Sequence, residues 1–218
     1  SDGYDATIKA FIEHRDKLYA LGAKVIGASE QGNSIQGKAL SIFGDKPEYT
    51  DEQWELIAKG FNEMGRLAKE KGMYFTVHHH MGTGVQTEAE IDKLMEITDP
   101  DLVYLLFDTG HLSFSGEDVL GVLKKYVGRT KHVHLKSIRK DIIEEAKEKC
   151  YSFLDSVRAG SFTVPGDGDF DFTPVFDILD EAGYEGWVVV EAEQDPAKAN
   201  PYEYAVLARN YIREKTGL

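Results

Sequence analysis

The chain has 218 residues, 42% apolar and 29% charged, a composition that buries a substantial core and excludes disorder. A single cysteine, Cys150, excludes a disulfide framework and a cysteine-rich zinc site, and its setting predicts a small buried side chain on a helix. A formal charge of −13, with basic residues alternating with acidic ones as in "AKEKG", predicts a solvated acidic surface and no nucleic-acid partner.

From the amino end, Asp5 to Leu21 carries Ile8, Phe11, Ile12 and Leu18 at helical spacing, and Gly22 stops it before the apolar run "KVIGA". Asp51 to Lys71 repeats the pattern with Trp54, Ile57, Phe61, Met64 and Leu67, followed by Gly72 and "MYFTV". "EAEIDKLMEI" precedes "DLVYLLF", and "GEDVLGVLKKY" precedes "KHVHL". An extra helix is expected over Asp141 to Val157, ahead of the loop "SFTVPGDGDFDF", where Gly166 and Gly168 suit turns. "FTPVFDILDEAG" then precedes "WVVVEAE", with Thr173 as N-cap, Pro174 in the first turn and Gly183 past the end.

No run approaches the roughly 20 apolar residues of a membrane span, and "SDGYDATIKAF" lacks the basic and apolar regions of a secretory leader. A cytoplasmic protein without a membrane partner is expected; self-association into a homo-oligomer stays open. The five strands, near 24–28, 73–78, 103–108, 131–135 and 187–191, are short and continuously apolar. Strands buried on both faces read this way, which predicts a parallel sheet flanked by helices.

Such sheets place their chemistry at the carboxyl ends of the strands. The ends here are "ASEQ", "VHHH", "FDTGH", "HVHLKS" and "VVEAEQD", all of them polar. Alternation puts His78 with His80, His132 with His134, and Glu191 with Glu193 on shared faces, and sends His79 to the opposite face as a packing or surface residue. Imidazole and carboxylate donors without a thiolate suit a divalent ion such as Mn²⁺, Co²⁺, Zn²⁺ or Mg²⁺. Taken singly, Asp108 could be a helix cap and His134 a packed core histidine; their recurrence at successive strand ends favours a shared site.

The stretches "VHHHMGTGVQTEAEID", "LLFDTGHLSFSG", "HVHLKS", "SFLDSVRAGSFTVPGDGDFDF" and "GYEGWVVVEAEQDPAKANP" resemble the xylose-isomerase-like (βα)8 barrels, the sugar isomerase and epimerase superfamily. Within that group they are most similar to the inosose dehydratases, and the resemblance covers nearly the whole chain. It implies an α/β TIM barrel with one divalent metal, Mn or Co before Zn or Mg, held by Glu, Asp, His and Glu from four successive strand ends. Asp108, His134 and Glu191 fall on the last three of these positions, and His78 falls where a carboxylate is usual. That exchange removes one negative charge, so the ion would be the stronger Lewis acid.

The resemblance further implies dehydration of 2-keto-myo-inositol to a trihydroxycyclohexane dione. Lys136, His80 and His111 are candidates for proton transfer, and Glu30, Gln31 and Arg158 for contacts with the polyol. A metal-dependent isomerase or epimerase and a non-catalytic polyol-binding protein are the alternatives. Five visible strands against eight in a closed barrel predict that residues 1–218 form one domain, the carboxyl-terminal two-thirds to three-quarters of a longer chain with about 80 further amino-terminal residues.

Overall fold

The computed structural model describes residues 2–44 and 46–217. Helix and strand alternate in the order α1 (Asp2–Ala20), β1 (Val25–Ala28), α2 (Asp51–Lys69), β2 (Tyr74–His78), α3 (Glu88–Ile97), β3 (Val103–Asp108), α4 (Thr109–Ser115), α5 (Val119–Tyr126), β4 (Thr130–Leu135), β5 (Ser137–Ile138), α6 (Lys140–Glu148), α7 (Phe153–Ala159), β6 (Phe162–Thr163), α8 (Thr173–Glu181), β7 (Trp187–Val190) and α9 (Pro201–Thr216). Local chemistry sets several of the starts. Thr50 with Gln53 and Thr87 with Glu90 form reciprocal capping boxes on α2 and α3, each satisfying backbone N–H groups that the helix itself leaves unpaired.

Five strands pair in parallel in the order β1-β2-β3-β4-β7. Their outward side chains, among them Phe75, Val77, Leu105, Phe107, Val133 and Leu135, are fully buried against Phe61, Leu67, Leu94 and Leu123 of the helical layer. Each such side chain contributes roughly 1.5–3 kcal/mol on burial, so this face holds the fold together. On the inner face a cavity of about 300 Å³ is lined from both edge strands, by Gly27 of β1 and Val189 of β7, with Thr76, Leu106 and His132 between them. The sheet therefore curls into a half-barrel, five strands of the (βα)8 arrangement that the sequence predicts. Trp187, at the start of β7, is 70% exposed.

A second apolar cluster lies over the carboxyl ends of the strands. Ile35 and Ile42 of the long β1–α2 loop meet Met81, Phe114, Ile138, Ile143, Phe153 and Phe162. The antiparallel pair β5–β6 and the short helix α4, which the periodicity does not predict, belong to this cap.

Three expectations are corrected. The helix expected over 141–157 is two helices, because Cys150 takes a left-handed conformation (φ 53°) and Ser152 then caps α7, accepting from the Asp155 N–H. Cys150 is accordingly exposed in a turn instead of buried on a helix. Thr173 is the first helical residue of α8 and not its cap; Asp171 Oδ1 accepts the Thr173 N–H at 3.0 Å. Among the described residues no helix is long and apolar enough to cross a membrane.

Candidate metal centre

Strand alternation and register assemble the site. Asp108 pairs with His134 across β3 and β4, His78 pairs with Leu106 across β2 and β3, and the Glu191 N–H donates to Leu135 O at 3.2 Å, carrying the β7 ladder one residue past its end. His78, Asp108, His134 and Glu191 thus reach one end of the curled sheet from four neighbouring strands. His78 Nε2 lies 3.4 Å from Asp108 Oδ2, and His134 Nδ1 lies 3.4 Å from both Asp108 Oδ2 and Glu191 Oε2. One ligand atom from each of His78, Asp108 and His134 lies within 4.8 Å of the other two. Glu191 stands just outside that tight set, held at 2.8 Å by Lys136 Nζ.

Asp108 serves both of the roles open to it from sequence. Its Oδ1 accepts the His111 N–H at 2.9 Å and caps α4, which leaves Oδ2 facing the two imidazoles. The carboxylate is fully buried, and His134 Nδ1 beside it is buried with no hydrogen-bond partner. An orphaned imidazole nitrogen next to a buried carboxylate is what a divalent cation would satisfy, so the donor set fits such an ion.

Lys136 is 1% exposed, which excludes a solvated surface lysine. Its Nζ donates to Glu193 Oε2 at 2.7 Å and lies 2.8 Å from Glu191 Oε2, 3.4 Å from Asp108 Oδ2 and 3.0 Å from His111 Nε2. Two features of "FDTGH" bring it there. Thr109 Oγ1 donates to Lys136 O at 2.7 Å and accepts the Lys136 N–H at 2.9 Å, latching the backbone. Gly110 leaves room for the stem, since a Cβ there would stand 2.5 Å from Lys136 Cγ.

The histidine triplet divides as the alternation predicts. His80 stays on the side of His78, their rings 5.1 Å apart, and its Nδ1 contacts Gln36 Nε2 of the β1–α2 loop. His79 points away but is no surface residue. It is fully buried, and its Nε2 accepts the Asp108 N–H at 3.1 Å, so it supports the carboxylate from behind. His80, His111 and Glu193 form a second set of ligand-type atoms within 4.8 Å of one another.

Glu30, Gln31 and Arg158 are not brought to this cluster, because each uses its polar atoms locally. Glu30 accepts from the Gly32 N–H at 2.7 Å and from the Tyr49 hydroxyl, Gln31 donates to Ser29 Oγ at 3.1 Å, and exposed Arg158 pairs with Asp155 at 3.6 Å. Gln36 and Glu193 are the site residues that sequence reasoning passes over. Gln36 sits in a loop without periodicity, whereas the alternation of "VVVEAE" already sets Glu193 on the face of Glu191.

Burial and charge polarise the cluster. Burial opposes charge on His134, but Asp108 and Glu191 outweigh it and push the imidazole up to about 9. Burial alone would raise Glu191; His134 and Lys136 overcome this and hold it down at about 2. Asp108 is also held well below the usual carboxylate range, its burial outweighed by Lys136 and the surrounding histidines. His79 and His80 fall to about 3, chiefly through burial and then through His78, and His132, deeper in the half-barrel, falls to about 4.

A curled parallel sheet gathering imidazoles and carboxylates at its carboxyl ends defines an α/β-barrel protein with a candidate metal centre. The family described as xylose isomerase-like TIM barrel matches residues 1–215, and the chain belongs to it, on the branch of the inosose dehydratases. It is 63% identical over 216 residues to the inosose dehydratase of Clostridium tetani, covering 99% of this chain and 72% of that protein. It is 60% identical over 219 residues to the inosose dehydratase of Geobacillus thermodenitrificans, covering 100% of this chain and 74% of that protein. A dehydratase of this kind is a hydro-lyase. Among solved structures, the IOLI protein with a binding zinc atom superposes with a TM-score of 0.72 at 17% identity, over 98% of this chain and 70% of that one, a likeness of fold.

Proposed function

We propose that the chain acts in the dehydration of 2-keto-myo-inositol (scyllo-inosose) to a trihydroxycyclohexane-1,2-dione at the strand-end cluster. The observation that carries this reading is the meeting of His78, Asp108 and His134 with buried Lys136 and His111, in a chain 63% identical to a named inosose dehydratase. His78, Asp108, His134 and Glu191 would hold one divalent ion, Mn²⁺ or Co²⁺ before Zn²⁺ or Mg²⁺. When bound, such an ion polarises a ketone and stabilises negative charge growing on its oxygen.

The reaction takes the proton from the carbon beside the ketone and expels the hydroxyl of the next carbon as water. The resulting enol tautomerises to the dione. It therefore needs a proton acceptor at one carbon and a proton donor at the neighbouring one. Buried His111 and His80 would serve as acceptors, and Lys136 Nζ, 3.0 Å from His111 Nε2, as the donor to the leaving hydroxyl. Phe153 and Phe162, with ring centroids 6.4 and 5.1 Å from that of His111, wall this side against water. The test is to load the protein with Mn²⁺ or Co²⁺ and supply scyllo-inosose. Growth of the ultraviolet absorbance of the dione is expected. A product that keeps all its hydroxyls would mean that the proton is returned, and the reading would give way to an epimerase; binding without turnover would leave a polyol-binding protein.

A further inference from the structure

Lys136 has more partners than one ammonium needs, and they differ in kind. Asp108 and Glu191 both lie 3.4 Å from His134 Nδ1, so a cation at the centre draws on them. Glu193 stands apart from His78, Asp108 and His134; its Oε2 faces Lys136 Nζ at 2.7 Å and His111 Nε2 at 3.5 Å. Its backbone is equally distinctive. Glu193 lies past the end of β7 at φ 44°, in the left-handed region that L side chains seldom adopt and that glycine or asparagine accepts readily. A strained backbone at a charged, largely buried side chain, 27% exposed, marks a position kept for what the side chain does.

We infer that Glu193 is the positioning residue for Lys136: it holds the ammonium against His111 once Asp108 and Glu191 are engaged by a metal. The assignment of a role to Lys136 rests on the dehydratase reading; the contact itself does not. Glu193 takes over the lysine because it is the carboxylate within 3 Å of Nζ that His134 does not share. Without it, the ammonium would be repelled by the ion and withdraw along the gap that Gly110 leaves for its stem. Lys136 and His111 would then no longer meet at 3.0 Å.

The test uses the metal-loaded protein and two replacements isosteric with each other and one methylene shorter than Glu, Glu193→Asn and Glu193→Asp. Both side chains tolerate the left-handed backbone and differ only in charge. Glu193→Asn is expected to lower kcat by about 10²-fold, the scale of a misplaced reacting group, with KM and bound metal unchanged, and Glu193→Asp to recover part of the loss. A second readout needs no turnover. Acetic anhydride labelling of the holoprotein, read at Lys136 by peptide mass spectrometry, should rise several-fold in Glu193→Asn over the wild type and Glu193→Asp. If the wild type makes no dione, the dehydratase reading falls and the labelling alone decides on Glu193. Wild-type labelling of Lys136 in Glu193→Asn overturns the inference, as does loss of metal from that variant, which would make Glu193 a ligand.

Discussion

His79 offers the sharpest check on the buried architecture, because it does two separable things. As an acceptor it takes the Asp108 N–H at 3.1 Å, and as a fully buried imidazole it is held neutral, with burial pushing it down to about 3. Replacing it by Leu keeps the bulk and removes the acceptor, leaving a buried N–H unpaired at a loss of about 1–3 kcal/mol. Replacing it by Gln keeps an acceptor and removes the titration. The sign follows from proton counting. Between pH 6.5 and about 3 the unfolded chain binds a proton at this histidine and the folded chain does not, so the stability contributed above pH 6.5 is lost as the pH falls. The slope is about 1.4 kcal/mol per pH unit, so by pH 4.5 the wild type should lose about 3 kcal/mol more than His79→Gln. With a urea dependence of about 2 kcal/mol per molar, the midpoints would separate by about 1.5 M on acidification. Urea titrations of the two proteins from pH 7.5 to 4.5 measure this, and parallel midpoints would refute a buried neutral His79.

Other outcomes follow from the same geometry. Asp108→Asn and His134→Ala should each weaken metal binding by about 10²-fold or more, read as metal per chain after dialysis, whereas wild-type protein purified without chelator should carry one ion. Gly110→Ala sets a Cβ 2.5 Å from Lys136 Cγ and should lower kcat by about 10²-fold while circular dichroism stays unchanged. Arg158→Ala should leave kcat unaltered and change stability by no more than about 0.5 kcal/mol, because its side chain is 65% exposed and its ion pair, with Asp155, is local to α7.

What was legible in the sequence is what period-2 alternation and the apolar runs encode. The five parallel strands, the helices between them, and the recurrence of Asp108, His134 and Glu191 at successive strand ends follow from knowing which face a strand residue takes and which end of a parallel sheet carries chemistry. The place of His78 in a four-ligand set is instead what the family resemblance implies, and β7, with Trp187 exposed, lacks the burial on both faces that its apolar run predicts. Where the chain leaves regular structure, that rule loses its hold. The break at Cys150 turns on one left-handed residue inside an otherwise helical pattern. Glu30 and Gln31 lie past the end of β1, whereas Asp108 is the last residue of β3, and they turn back on Gly32 and Ser29 because the β1–α2 loop runs on to Thr50 instead of entering a helix. Asp108 is fixed where they are not, since α4 begins at the very next residue and uses Oδ1 as its cap.

The same contrast explains why the triplet works as three different residues. His78 is the last residue of β2 and inherits the register of the sheet, so its imidazole is aimed by backbone pairing with Leu106. His79 inherits only the alternation, which carries it into the outer core, where it makes a long-range bond to the Asp108 backbone. His80 is past the strand, and its N–H donates to Val85 O within a tight loop, while Gln36 meets its ring from the β1–α2 loop. Control of the three thus passes from sheet register to core packing to loop closure within three residues. Substitutions should accordingly differ in kind: loss of metal at His78, loss of stability at His79, and loss of turnover with metal retained at His80. Equal loss of metal in all three variants would mean that the segment is held as one loop, and the strand register of β2 would then no longer explain the site.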